Sequence, residues 1–312
     1  MERPNAWKGY TDSQLAELDG LCARYTDFIS ENKTERECCA AAVKLAEAAG
    51  YLPLEDCIAQ GGTVCTLGPL IHNPIVVSDL ASRGVDAIDD VREAPVSATL
   101  VIRSHGVVPQ VIEDAQALGL HVVDATCPHV KKAHDAAACL AQEGYQVLVL
   151  GEAGHPEVEG ILARSGKDAL VVSSAEELAD VAIKRRVGIV VQTTQTQAFL
   201  DEVVAALLPR VRELRVFNTV CSATLQRQCA AAELASRSDA MVVVGGKNSG
   251  NTRRLFLVCR ERCDNTHHIE TPGELDPTWF AGAGSIGVTA GASTPADQVA
   301  GVVERLEEIS HD

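Results

Sequence analysis

From Gly62 onward, short β-branched apolar runs alternate with stretches of helical spacing. The runs are Val64 to Leu67, Ala98 to Arg103, His121 to Val123, Tyr145 to Leu150, Ala169 to Val172, Val187 to Gln192, Arg215 to Asn218, Ala240 to Val244 and Ser285 to Val288. Near-continuous apolar runs of this length are what strands buried on both faces require. Between them the spacing predicts helices over Pro74 to Arg83, stopped by Gly84, over Pro109 to Leu118 and over Pro128 to Glu143. Strands and helices at this rhythm predict α/β units with parallel strands.

The first 62 residues follow another pattern. Thr11-Asp12-Ser13-Gln14 reads as a capping box with Leu15, Leu18, Cys22, Tyr25 and Ile29 at helical spacing behind it. A second box, Thr34-Glu35-Arg36-Glu37, opens a helix that stops near Gly50, so a helical hairpin is expected.

The strand ends carry the chemistry. Leu67-Gly68-Pro69-Leu70-Ile71-His72-Asn73-Pro74, Arg103-Ser104-His105-Gly106-Val107, Cys127, and Gly151 to Gly160 with His155 and Glu157 each follow a run. Gln192-Thr193-Thr194-Gln195, Val220-Cys221-Ser222, Gly245 to Asn251 and Ala290 to Pro295 continue the series. Parallel α/β folds bind ligands at the carboxyl ends of their strands, so such turns in series predict one shared site.

Composition narrows the ligand. The chain of 312 residues is 46% hydrophobic, which supplies a sizeable core without a run long enough to span a membrane. Its 27 basic against 43 acidic residues give a net charge of −16, against a nucleic-acid-coating surface and in favour of small-molecule or protein partners. The opening Met1-Glu2-Arg3-Pro4-Asn5 does not resemble a signal peptide, so a cytoplasmic location is expected. Eleven cysteines in such a chain point to reduced thiols or metal ligands.

Two of those thiols stand out. Cys127, followed by Pro128 at the first helical position, lies at a helix N-terminus, where the thiolate is favoured. Cys221 repeats this setting 94 residues later (127 to 221), and a similar distance back lie Cys38 and Cys39. Three modules each donating a thiolate at a central axis would suit an iron–sulfur cluster with one open iron. A zinc site on Cys127, Cys221 and a histidine is a rival, as is a merely structural cysteine at each corner. Likewise a lone histidine is ordinarily a structural residue, Glu157 and Glu159 can be solvated turn carboxylates, and Ser249 and Ser293 can be helix N-caps. Cys259 and Cys263, at i and i+4 of an expected helix, read as packing residues together with Cys22, Cys57, Cys65, Cys139 and Cys229.

Taken in order, Leu-Gly-Pro-Leu-Ile-His-Asn-Pro, Arg-Ser-His-Gly-Val, Asp-Ala-Thr-Cys-Pro, Gly-His-Pro-Glu-Val-Glu-Gly, Gln-Thr-Thr-Gln and Thr-Ala-Gly-Ala-Ser resemble the 4-hydroxy-3-methylbut-2-enyl diphosphate reductase family, from about Thr63 to the C-terminus. The resemblance implies three α/β domains in a pseudo-threefold arrangement around a 4Fe–4S iron–sulfur cluster, here 63–127 (incomplete), 128–220 and 221–312 behind an atypical helical segment 1–62. It implies an isoprenoid-pathway reductase that removes the hydroxyl of an allylic diphosphate with two electrons and protons, giving isopentenyl and dimethylallyl diphosphates. An electron-donor protein of the ferredoxin or flavodoxin type would be its partner. By the same resemblance Cys127 and Cys221 match cluster ligands, Glu157 the proton-delivering carboxylate and Thr193 the hydroxyl that positions the substrate alcohol. His72, His105, His155, Ser249, Asn251 and Ser293 match the diphosphate pocket, and His155 lies close enough in sequence to help set the proton supply.

The opening departs from that family. Its usual strand and Phe-Cys-x-Gly-Val turn, which carry the first cluster ligand, are replaced by Glu31 to Val43, where Cys39 is the positional candidate but the local signals are helical. Gly250 stands where the family usually offers a second serine. Asn5-Ala6-Trp7, Lys33 to Cys38 and Tyr51 to Glu55 resemble the opening segment of aspartyl-type (aminopeptidase I family) zinc aminopeptidases, without that family's metal-ligand portion downstream. Two functions follow: an active iron–sulfur reductase, or a non-catalytic descendant that binds a diphosphate without an intact cluster.

Overall fold

A computed structural model of the chain describes residues 10–31, 35–48 and 62–311, in two compact units, 1–61 and 62–312. The first unit holds α1 (Asp12–Glu31) and α2 (Glu35–Ala48). The expected capping box opens α1: the Gln14 N–H donates to Thr11 Oγ1 at 3.3 Å, and the Thr11 N–H to Gln14 Oε1 at 2.9 Å. Cys38 and Cys39 fall within α2, so Cys39 is helical rather than in a turn after a strand. Thr34, Gly50 and Cys57 lie outside the described residues.

The second unit is mixed α/β, built on parallel sheets. β1 (Val64–Leu67), β2 (Val85–Ile88), β3 (Thr99–Ile102) and β4 (His121–Asp124) form a sheet of order β2-β1-β3-β4, with α3 (Pro74–Ser82) and α4 (Pro109–Ala117) as crossovers. α5 (Pro128–Gln142) leads to β5 (Gln146–Leu150), α6 (Pro156–Leu162), β6 (Leu170–Val172), β7 (Arg186–Val191), α7 (Gln197–Leu207) and β8 (Glu213–Phe217), whose sheet runs β6-β5-β7-β8. α8 (Ser222–Ala235), β9 (Ala240–Val244), α9 (Gly250–Arg260), β10 (Thr266–Ile269), β11 (Ile286–Ala290) and α10 (Ala296–His311) complete the chain with a three-stranded sheet, β10-β9-β11.

Proline in the first turn of α3, α4, α5 and α6 makes the change from turn to helix abrupt, since its fixed φ suits the helix and its missing N–H would have had no partner. Register sets where those turns emerge. Leu67 pairs with Ile102 and Ile102 with Asp124, while Leu150 pairs with Val191, so the C-terminal ends of paired strands lie level. β5 and β9 are buried along their whole length. Leu148, Leu150, Ile189 and Val191 pack with Leu200 and Leu207 of α7, each side chain contributing about 1.5–3 kcal/mol.

Three expectations need correction. β2 and β10 are strands that the apolar runs did not mark. α9 ends at Arg260, so Cys263 lies beyond the helix, although both it and Cys259 are buried. Cys22 and Cys229 are exposed rather than packed, because each falls on the solvent side of its helix.

Candidate functional site

Turns from all three sheets meet at a cavity of about 410 Å³. His72 follows β1, His105 follows β3 and Cys127 follows β4; His155 and Glu157 follow β5, Thr193 follows β7 and Cys221 follows β8. From the third sheet come Ser249 and Asn251 after β9 and Ser293 after β11. All ten of these side chains line this one cavity. Cys39, the positional candidate for a further thiolate, belongs to the first unit.

The two thiols are held alike. Cys127 and Cys221 are the N-caps of α5 and α8, both free and partly exposed. The Cys127 N–H donates to the Ser104 carbonyl at 3.0 Å and the Cys221 N–H to the Thr193 carbonyl at 2.9 Å, tying each thiol to the turn of the neighbouring strand. Asp124 accepts from the Thr126 N–H at 3.0 Å, which turns the chain out of β4 toward Cys127.

The imidazoles of His72, His105 and His155 cluster with ring centroids 4.4, 5.6 and 5.5 Å apart. Burial, then the charges of neighbouring rings, lowers the pKa of His105 to about 3 and of His155 to about 4; burial first also lowers that of His72. All three are therefore neutral near pH 7. One ring nitrogen of each lies within 4.8 Å of the others, close enough to consider a shared cation. Hydrogen bonding decides otherwise: His155 caps α6 by accepting the Glu157 N–H at Nδ1, 3.2 Å, so its Nε2 carries the proton and donates. His72 Nε2, His105 Nδ1 and Asn251 Nδ2 are buried without hydrogen-bond partners. A ligand rich in acceptor oxygens satisfies such a set.

Glu157 is 2% exposed. The Thr193 N–H donates to its Oε1 at 2.6 Å and the Thr193 hydroxyl to its Oε2 at 2.9 Å. Burial nevertheless outweighs these bonds and raises its pKa to about 7. The carboxyl can thus hold or release a proton at neutral pH, which suits a general acid.

Side chains also tie the turns together across sheets. Buried Asn73 caps α3 and donates from Nδ2 to the Ser293 carbonyl at 2.9 Å and to Gln298 Oε1 at 3.2 Å. Glu152 pairs with Arg253 at 2.8 Å and Arg254 at 3.2 Å, joining the His155 turn to α9. Gly246 packs against the His72 carbonyl so closely that a Cβ there would collide with it. His129, Ser104, Thr194 and Thr224 line the cavity as well. Ser104 and Thr194 stood inside quoted motifs, whereas His129 and Thr224, on the first turns of α5 and α8, carried only their distance from Cys127 and Cys221 as a signal.

The family described as LytB protein matches residues 46–307. The 4-hydroxy-3-methylbut-2-enyl diphosphate reductase of Pelobacter propionicus is 50% identical over 245 residues, spanning 78% of this chain and 87% of that protein. The reductase of the same name from Aquifex aeolicus is 45% identical over 272 residues, 86% and 91% of the two chains. A solved structure of (E)-4-hydroxy-3-methyl-but-2-enyl diphosphate reductase, the terminal enzyme of the non-mevalonate pathway, matches with a TM-score of 0.60 at 43% identity, covering 86% of this chain and 93% of that one. A Plasmodium falciparum reductase structure matches with a TM-score of 0.75 at 26% identity, covering 80% of each chain.

Proposed function

The chain belongs to the LytB protein family, and from that premise we propose that it is a 4-hydroxy-3-methylbut-2-enyl diphosphate reductase. The observation that carries the proposal is the buried Glu157–Thr193 pair on the same cavity as three neutral histidines and two helix-capping thiols.

The diphosphate is bound by His72, His105, His155, Ser249, Asn251 and Ser293, whose neutral donors satisfy phosphate oxygens inside an acidic protein. Ser249 also caps α9 through the Thr252 N–H, so the anion meets a helix N-terminus there as well. The substrate's alcohol end then faces Thr193. The Thr193 hydroxyl donates to Glu157 Oε2 when the carboxyl is ionised. With Glu157 protonated the bond reverses, Glu157 giving its proton to Thr193 Oγ1 as Thr193 passes its own to the departing hydroxyl, which leaves as water with the carboxylate left behind. His155 sets that supply by fixing the Glu157 backbone.

The family's iron–sulfur cluster, of the 4Fe–4S type, would be held by Cys127 and Cys221. Their partly exposed, unpartnered thiols at helix N-termini suit metal thiolates, and no other described cysteine lines the cavity. When bound, the cluster supplies single electrons and a Lewis-acidic iron. The electrons would come from a ferredoxin- or flavodoxin-type protein. The first unit takes no part in this reading, nor does the resemblance of its sequence to aminopeptidases.

The test is anaerobic reconstitution with iron and sulfide, followed by reduction and addition of the allylic diphosphate. Formation of isopentenyl and dimethylallyl diphosphates is expected. A pair of cavity thiols among the described residues favours a second reading, a diphosphate-binding descendant without an intact cluster; diphosphate binding with no chromophore and no product would establish that one instead.

A further inference from the structure

Arg103 differs from two other half-buried arginines. Arg254, whose Nε is likewise buried without a partner, is paired with Glu152, and Arg164 donates to the Val107 and Gly160 carbonyls, but Arg103 has a partnerless buried Nε and no ion pair. In a chain with 43 carboxylates, a half-buried guanidinium without an ion pair leaves a local positive charge that attracts an anion.

Its location says which anion. Arg103 lies against Gly68, whose left-handed backbone (φ 69°) and missing Cβ make room for the guanidinium. It shares a smaller cavity with Gly68, Gly106 and Pro156, which belong to the turns of His72, His105 and His155, and with the carboxylates Asp89 and Glu159, neither of which forms an ion pair with it. It does not line the main cavity. The charge therefore sits behind all three histidines and lowers the pKa of each, alongside Arg253 at His155 and against Glu152, which raises those of His72 and His155.

We propose that Arg103 is a positioning residue for the diphosphate: its unpaired charge, set behind the histidine turns, draws in the anion that the neutral imidazoles then bind by hydrogen bonds. The inference rests on the diphosphate reading of the cavity. It assigns the long-range attraction to a residue that does not touch the ligand, and the same charge favours the neutral form of the imidazoles, each with one N–H to donate.

The probe is inorganic pyrophosphate, titrated calorimetrically into the reconstituted full-length protein. Arg103→Met is expected to weaken binding about tenfold and flatten its salt dependence, while Arg103→Lys keeps most of the affinity. Asp89, an exposed carboxylate facing Arg103, gives a variant of opposite sign: Asp89→Asn is expected to tighten binding about twofold. Histidine titration by NMR provides the readout a structural role would not move, since the cavity imidazoles are expected to titrate at higher pH in Arg103→Met. Unchanged pyrophosphate affinity in Arg103→Met, or weaker binding in Asp89→Asn, overturns the inference while the function stands. Wild-type protein that ignores pyrophosphate overturns the diphosphate reading and this inference with it.

Discussion

Glu157 and the buried histidines pull stability in opposite directions with pH. Glu157 is raised from 4.5 to about 7, so as pH rises between those values the unfolded chain ionises first and stability falls. His105 is lowered from 6.5 to about 3, and His134 and His155 to about 4, so as pH falls below 6.5 the unfolded chain gains protons first and stability again falls. Because three histidine terms outweigh one carboxyl, denaturant unfolding across pH 4 to 9 is expected to show stability rising with pH to a plateau above about pH 7, and Glu157→Gln is expected to steepen the rise between pH 5 and 7. The same variant is expected to lose turnover by about 10²–10⁴-fold, the range for a missing general acid, with pyrophosphate affinity within twofold of wild type. Steady-state rates and calorimetry on one preparation separate the two effects. Equal losses in both would mean that Glu157 shapes the pocket rather than delivering a proton.

Among the elements, Asn73 joins two jobs, capping α3 and bonding the Ser293 turn. Asn73→Ala is expected to cost about 2 kcal/mol in denaturant unfolding, one part from the cap and one from the buried bonds, and to weaken pyrophosphate binding because Ser293 loses its anchor. The interior strands were legible in the sequence because burial on both faces forces Val, Ile and Leu into unbroken runs. β2 and β10 were not, because they are short edge strands interrupted by polar residues, Asp86 in β2 and Thr266, His267 and His268 in β10. In Thr266-His267-His268-Ile269, His267 stacks on Trp279 at 3.9 Å and His268 Nε2 contacts the Gly245 carbonyl at 2.9 Å. The site residues were legible in kind, since Gly or Pro punctuates most of their turns, those of Thr193 and Cys221 excepted. The imidazole cluster, the orphaned nitrogens and the raised Glu157 were not, because each depends on distances between turns from different sheets.

At the scale of the molecule, the first two sheets each have four strands in equivalent order and each leads into a thiol, Cys127 or Cys221. The third sheet has three, with β11 bordered by β9 alone among the described residues. If the repeat were carried once more round, a fourth strand beside β11 would end in a third thiol, the place that the resemblance gives to a strand and a Phe-Cys-x-Gly-Val turn. Replacing residues 1–45 with a strand and a Phe-Cys-x-Gly-Val turn is expected to raise iron toward about four per chain after reconstitution, measured by metal analysis and electron paramagnetic resonance. No gain over the natural chain would show that the missing strand is not what limits loading.

That unfinished sheet bears on how the protein behaves in a tube. Among the described residues β11, like the outer strands of the other two sheets, has a neighbour on one side alone; such an edge is a template for another molecule's backbone, and a net charge of −16 opposes such encounters. The repulsion reaches about 30 Å at 0.01 M salt but only about 3 Å at 1 M. Light scattering is therefore expected to report single particles in dilute buffer and growing assemblies in concentrated salt, the reverse of a protein held together by surface charge pairs.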